Sequence, residues 1–252
     1  RCSVCRGDYL RLQGYGTQRV AEVLLSTFPE AIVDRIDRDI AARRGAVEGV
    51  LHKFEKHETD ILIGTQMIAK GHDFPKVTLV GVIDADVGLG LPDFRSAERT
   101  FALLTQVAGR AGRADLPGEV LLQTHNPKHY AIEYAQNQDY DAFFDREMEF
   151  RRTMGYPPHD AMVNILFRGR VEDEVAKSAR NIARRLKVTL HEGVLGPSPS
   201  PLSKVRDEFR YQVVVRGKRG VIRESVHEVL IAEFGPMRFP GVAVDVDPLS
   251  LM

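Results

Sequence analysis

The sequence is poor in the features that most quickly declare a function. It has no charge excess: Lys plus Arg and Asp plus Glu number 35 each among 252 residues, so any case for nucleic acid has to rest on local patches. It has no apolar run near the about 20 residues of a membrane helix, and its start lacks the charged-then-apolar layout of a leader. A cytoplasmic protein with no membrane partner is therefore expected. Cysteine is limited to Cys2 and Cys5, half of the four-ligand shell that zinc takes. Nowhere does GxxxxGK run into Ser or Thr, and no DExH-like acidic run follows a predicted strand, so the usual cradle for nucleotide phosphates is missing.

What is present is an ordinary globular composition, 43% hydrophobic and 28% charged, in a length that suits two domains. The "RCSVC" turn has three readings: two unpaired thiols, a redox pair, or the tail of a zinc ribbon whose other ligands lie upstream. The chain opens on Arg1 rather than Met, and an upstream portion is expected.

Hydrophobic patterning alternates between strand and helix. "VAEVLLSTFPE" has helical spacing up to Pro29, "AIVDRI" reads as a buried strand, and "IAARRGAVEGVLHKFEKHE" as one amphipathic helix. "DILIGT" and "VTLVGVIDAD" are continuous apolar runs of the kind found in parallel strands covered on both faces. "SAERTFALLTQVAGRAG" reads as a helix and "GEVLLQT" as a further strand. This predicts an α/β lobe over residues 14–126, a parallel sheet with helices on both faces, after a short segment 1–13. A helical connector is expected over 127–157. Residues 158–252 are expected to form a small α+β domain in the order β-α-β-α-β, with "GPSPSP" as a turn.

Ligands of open parallel sheets lie beyond the carboxyl ends of the strands, where loops from this lobe supply candidates. "GTQMIAKGHDF" brings Thr65, Lys70, Gly71 and Asp73: a hydroxyl and backbone N–H groups for phosphate, a glycine for close approach, a carboxylate for a ribose hydroxyl or an arginine. "DADVGLGLPDFRSAER" brings Asp84, Asp86, Arg95, Glu98 and Arg99. "QVAGRAGR" brings Gln106, Gly109, Arg110 and Arg113, with two guanidinium forks spaced to reach one polyanion from one side of a helix or turn. Taken singly, each of these stretches also reads as a turn, a cap or a solvated helix start.

Their order and spacing are more specific. "TQMIAKGHDF" followed by "QVAGRAGR" resembles motifs V and VI of superfamily 2 nucleic-acid motors. The resemblance extends through "GYGTQRVAEVL", "RIDRD", "PDFRSAERTFALLTQVAGRAGR", "GEVLLQTHNP", "YPPHDAMVNILF", "LGPSPSPL" and "VDVDP" to the primosomal protein N′ (PriA) family of bacterial replication-restart helicases. That resemblance implies a second RecA-like helicase lobe followed by a C-terminal domain similar to a small ribosomal-subunit protein. It implies an ATP-dependent 3′-to-5′ DNA helicase acting on stalled forks and D-loops, which starts primosome assembly and works in the bacterial cytoplasm at the nucleoid.

By the same resemblance, Arg110 and Arg113 stabilise the transferring phosphoryl group with Gln106 assisting, and Gly71, Asp73 and Gly109 belong to the nucleotide side. Thr65, Lys70, Arg95 and Arg210 face DNA. Cys2 and Cys5 are two of eight cysteines that hold two Zn2+ ions. ATP with Mg2+ is held mainly by the first lobe, so this chain alone is expected to be inactive. Branched and single-stranded DNA, the acidic tail of single-stranded-DNA-binding protein, and primosome proteins are the implied partners, with Arg206, Arg210, Lys218 and Arg219 suited by charge to DNA or that tail. The glycine-rich "VGLGLPDF" lacks the aromatic that base stacking requires. Against the motor stand a non-hydrolysing DNA-binding scaffold with a degenerate lobe, and a metabolic α/β enzyme built on Asp84 and Asp86.

Overall fold

The computed structural model describes residues 16–43, 45–65, 68, 74, 76–109, 118–235 and 241–251. They divide into two compact units, one running to Gly90 and resuming at Glu98–Tyr140, the other made of Leu91–Ala97 and the chain from Asp141 onward.

The first unit contains α1 (Thr17–Thr27), β1 (Val33–Ile36), α2 (Arg38–Ala41), α3 (Ala46–Glu55), β2 (Ile61–Gly64), β3 (Leu79–Val82), α4 (Asp86–Leu89), most of α5 (Ser96–Ala108), β4 (Glu119–Leu122) and α6 (Tyr130–Gln136). Strands β1 and β2 pair in parallel with Ile36 opposite Gly64, and β3 and β4 pair in parallel with Val82 opposite Leu122. Parallel pairing needs a crossover, which α2 and α3 supply between β1 and β2, and α4 and α5 between β3 and β4. The single helix expected over "IAARRGAVEGVLHKFEKHE" is two, because Gly45 sits in the left-handed region (φ 76°) and ends the continuity before α3. The long strand expected from Val77 shortens to four residues. Asp84 takes a left-handed φ of 57° and turns the chain into α4. The expected burial of this run on both faces is not met among the described residues: Leu79 is 54% and Ile83 48% exposed.

Helix α5 shows how sequence spacing orients this unit. Ala97, Thr100, Phe101 and Leu104 recur at helical intervals and are all buried. Gln106 therefore lies off the buried stripe, half-buried near the end of the helix. Gly88 on α4 packs so closely against α5 that a methyl at its Cβ position would come within 2.6 Å of Thr100 Oγ1.

The second unit holds α7 (Tyr140–Met154, all but its first residue), β5 (Ala161–Gly169), α8 (Glu172–Leu190), β6 (Val194–Val205), β7 (Glu208–Gly217), α9 (Arg219–Phe234) and β8 (Val242–Val246). Its sheet is antiparallel, in the order β6-β7-β5-β8, and the chain runs β-α-β-β-α-β as in ferredoxin-like folds. Helices α8 and α9 pack on one face, over Val163, Ile165, Phe167, Val213 and Val215. Each large apolar side chain enclosed there contributes roughly 1.5–3 kcal/mol. Acidic Glu172, Asp173 and Glu174 in the first turn of α8 and Lys187 in its last complement the helix dipole.

The proline-rich turn expected at "GPSPSP" is instead the middle of strand β6. Proline cannot donate to a ladder, but β6 is an edge strand, where half of the N–H groups have no partner strand to face. The register accordingly slips between Leu195 and Ser198 and between Pro199 and Lys204. Arg206 and Asp207, both left-handed, close the two-residue hairpin into β7.

Candidate nucleotide and nucleic-acid site

In the first unit, polar side chains gather at the carboxyl ends of the parallel strands. Just beyond β1, Asp37 accepts from the backbone N–H groups of Asp39 and Ile40 at 3.1 Å each, capping α2. Its other oxygen takes the Thr17 hydroxyl at the start of α1 and the Arg35 guanidinium at 2.9 Å. The Ile40 N–H does most to hold the Asp37 carboxyl below the ordinary range; burial opposes it, and Thr17, Arg35 and the Asp39 N–H add to the lowering. Sequence reading passed over Asp37 as one letter in "RIDRD". The signal was there, an aspartate directly before a helical turn.

Beyond β2 stands Thr65, exposed. It is preceded by Gly64, where a Cβ would meet the Ile36 carbonyl oxygen and the Ile68 side chain at 3.0 Å. Gly64 is thus drawn in against the end of the neighbouring strand.

Beyond β3, Asp86 accepts from Thr124 Oγ1 at 3.1 Å and from His125 N at 2.7 Å, both just past β4. Burial alone would raise the Asp86 carboxyl, but these two donors and the charge of His125 together hold it below the usual value. Both oxygens of Asp86 are therefore committed to joining the ends of β3 and β4, which is the part of a structural clasp rather than of a free catalytic acid.

Two lowered carboxyls make the first unit acid-sensitive in a definite direction. A folded-state pKa below the unfolded one contributes stability that is complete above the unfolded value of about 3.9 and is lost as pH falls through the folded value. Asp37→Asn and Asp86→Asn should each flatten the stability profile below about pH 4 while lowering the plateau above it. Urea midpoints measured between pH 2.5 and 7 check this, and a wild-type profile flat over the acidic limb would refute it.

The remaining expected site residues are placed as follows. Gln106 sits half-buried near the end of α5, and Gly109, exposed, follows that end, its N–H bonded to the Thr105 carbonyl at 3.1 Å. Arg95 directs Nη1 to the Leu249 carbonyl at 3.4 Å in the second unit. Arg210 on β7 stands directly opposite Arg168 on β5, on the sheet face away from α8 and α9. Arg219 is paired with Asp247 at 2.8 Å, and Lys204 lies over the Phe209 ring and 3.5 Å from Asp207. Lys70, Gly71, Asp73, Arg110, Arg113, Cys2 and Cys5 lie outside the described residues.

Comparison with known proteins agrees with both units. A model of the helicase conserved C-terminal domain matches residues 16–115, and one of the primosomal protein N C-terminal domain matches residues 152–249. The first describes a RecA-like second lobe, in keeping with the parallel strand pairs, and the second coincides with the antiparallel sheet and its two helices. Among curated relatives, the replication restart protein PriA of Bacillus subtilis is 41% identical over all of this chain and 32% of its own length. That of Synechocystis is 38% identical over 99% of this chain and 30% of its own, and that of Borreliella burgdorferi 34% identical over 100% and 38%. The chain thus spans about a third of the length of these relatives. With both units matched in order, and relatives aligned from one end of it to the other, this chain belongs to the PriA family of replication restart proteins.

Proposed function

We propose that the chain is the second motor lobe and C-terminal domain of an ATP-dependent, 3′-to-5′ replication-restart DNA helicase. The observation that carries this reading is the junction at α5. A helix anchored by one buried face ends at Ala108, and the next residues are the glycine-and-arginine run "GRAGR". Guanidinium groups delivered from a rigid helix suit the charge that spreads over phosphoryl oxygens in the transition state. In this reading Arg110 and Arg113 stabilise that charge, Gln106 and Gly109 orient them, and Gly71 and Asp73 approach the nucleotide.

The donors in the described part of the lobe fit a phosphate ligand better than a metal. Thr65 and Gln106 offer a hydroxyl and an amide, whereas both oxygens of Asp37 and of Asp86 are already engaged. No cluster of metal-binding side chains occurs among the described residues. ATP supplies the phosphoryl group to be transferred, and we place its Mg2+ on the first lobe, outside this chain. Cys2 and Cys5 would serve a zinc site completed by cysteines from upstream.

For DNA, Thr65, Lys70 and Arg95 belong to the lobe's contacts with single strand and Arg210 to those of the C-terminal domain. Arg210 and Arg168 support the last assignment. Like charges directly across a ladder repel, and neither has an acidic partner among the described residues. A backbone phosphate between them would relieve that repulsion. The substrates proposed are stalled forks, D-loops and single strands. The tail of single-stranded-DNA-binding protein and other primosome components are the protein partners, and the compartment is the bacterial cytoplasm and nucleoid. No helix of the described residues is long and apolar enough to cross a membrane.

DNA-stimulated ATPase of this chain, assayed beside the same chain with its upstream region restored, tests the reading. Turnover is expected in the longer form alone. Turnover in neither, with salt-sensitive fork binding retained, would favour the non-hydrolysing scaffold.

A further inference from the structure

The two edges of the antiparallel sheet differ in length. Strand β6 has twelve residues, and β8, at the opposite edge, has five. A sheet edge is a row of backbone donors and acceptors ready to take a strand from another chain, and a long apolar edge is the most hazardous kind. Strand β8 is short and carries the exposed Asp245. Strand β6 reaches up to about 40 Å at the usual rise per residue, and it exposes Leu195, Leu202 and Val205. Lys204 is its one charged residue, and that side chain lies over the Phe209 ring and near Asp207. Side chains therefore protect this edge poorly.

Its backbone is different. Along an antiparallel ladder, residues whose N–H and carbonyl meet the partner strand alternate with residues whose groups point away from it. Arg216 N donates to the Gly193 carbonyl at 2.9 Å. Counting from that bond, Leu195 opposite Val214 and, past the first slip, Ser198 opposite Gln212 face β7. Pro199, opposite Tyr211, faces outward. Pro197 and Pro201 lie on either side of it, one in each stretch where the register slips. From 197 to 201 only Ser198 and Ser200 carry an N–H at all, and that of Ser198 is turned to β7. The carbonyls of this stretch remain usable by a side-chain donor, as Lys187 Nζ shows at the Gly196 carbonyl, 3.2 Å away. An incoming strand has to receive as well as give at every second residue. Here it would find acceptors without the donors between them.

We infer that Pro197, Pro199 and Pro201 close the β6 edge to strand addition and so keep a second copy of this chain from extending the sheet through β6. The alternation of proline with serine serves this end, because it strips donors from the edge while leaving Ser198 able to bond β7. Closure of the edge is a property of the second unit alone and is independent of ATP turnover.

The test uses the complete protein with Pro199→Thr and Pro201→Thr combined. Threonine suits a strand, is more polar than the ring it replaces, and restores an N–H at each position. Any gain in association therefore comes from the donors and not from added apolar surface. Sedimentation velocity over a concentration series should show self-association at least about tenfold stronger than that of the wild type. Adding Leu202→Lys should reverse the gain, since a charge on an edge opposes pairing. Association equal to wild type, with an unchanged circular dichroism spectrum, would overturn the inference, as would association that persists undiminished with the lysine in place. If the double variant melts below wild type, Pro199→Thr alone is read in the same way. Unfolding of that single variant would show that the ring shapes the strand and does not guard it, and would equally overturn the inference.

Discussion

Replacing Arg113 by Ala in the complete protein should reduce ATP turnover by roughly 10³–10⁵ while leaving fork binding nearly unchanged. The asymmetry follows from where each kind of energy is made. Duplex and fork affinity is the sum of many phosphate contacts, each worth a small fraction of the whole and each screened by salt. A guanidinium aimed at the transferring phosphoryl group acts at a single place and a single moment, when charge spreads over oxygens that the ground state leaves less exposed. Arg113→Lys should recover little, because an ammonium lacks the planar fork that reaches two oxygens at once. Arg110→Ala should behave in the same way, and steady-state hydrolysis with a fork substrate, paired with fork titrations at two salt concentrations, separates the two effects. Turnover unchanged in Arg113→Ala would remove the arginine from the chemistry and return the lobe to the scaffold reading.

Glu147→Ala should destabilise the second unit by roughly 3–5 kcal/mol. Glu147 and Arg151 lie one helical turn apart on α7, joined at 2.7 Å, with side chains only 5% and 11% exposed. The pair is held from outside the helix as well, since Arg151 Nη1 donates to the Pro157 carbonyl and its guanidinium faces Phe94. Removing the carboxylate takes away the charged acceptor at Arg151 Nε, and the guanidinium cannot give up its proton in a place where water reaches it poorly. Glu147→Gln keeps one acceptor and should cost less. Joint replacement by Leu at 147 and Met at 151 should recover most of the loss, because a buried ion pair offers little net advantage over a well-packed apolar pair. Urea denaturation followed by circular dichroism checks the order, and a Glu147→Ala midpoint equal to wild type would show that the pair is hydrated in solution.

What could be read from the sequence, and what could not, divides along the range of the interactions. Apolar patterning located β1, β2, α5 and α8, because each carries buried apolar residues whose spacing is printed in neighbouring residues. The same local reading took the prolines around Ser198 for a turn. Whether a proline is tolerated in a strand depends on whether that strand is an edge, and β6 becomes one only when β7 has paired with β5 on its other side. Likewise the apolar run at "VTLVGVIDAD" promised a long strand, but Asp84 turns the chain left-handed within it.

The candidate site shows the same division. Motif letters placed Thr65, Gln106, Arg110 and Arg113 in one functional setting, since the chemistry of phosphate recognition asks for those residue types in that order. They could not show that Asp86, given a catalytic role only in the metabolic-enzyme alternative, has both oxygens bound to Thr124 and His125. Nor could they show that Asp37 joins α1, β1 and α2, or that Arg95, a candidate for DNA, bonds the Leu249 carbonyl.

By itself, then, the amino-acid sequence determined the kinds of element, the order of the two units and the family, because helical and strand periods and motif spacings are properties of neighbours along the chain. Which carboxylates are spent on structure and which strand lies at an edge were decided only by the tertiary structure. Ser250 meets Asp93 across 157 positions of chain, and a hydrogen bond closed over that separation exists only once the packing around it has brought both ends together.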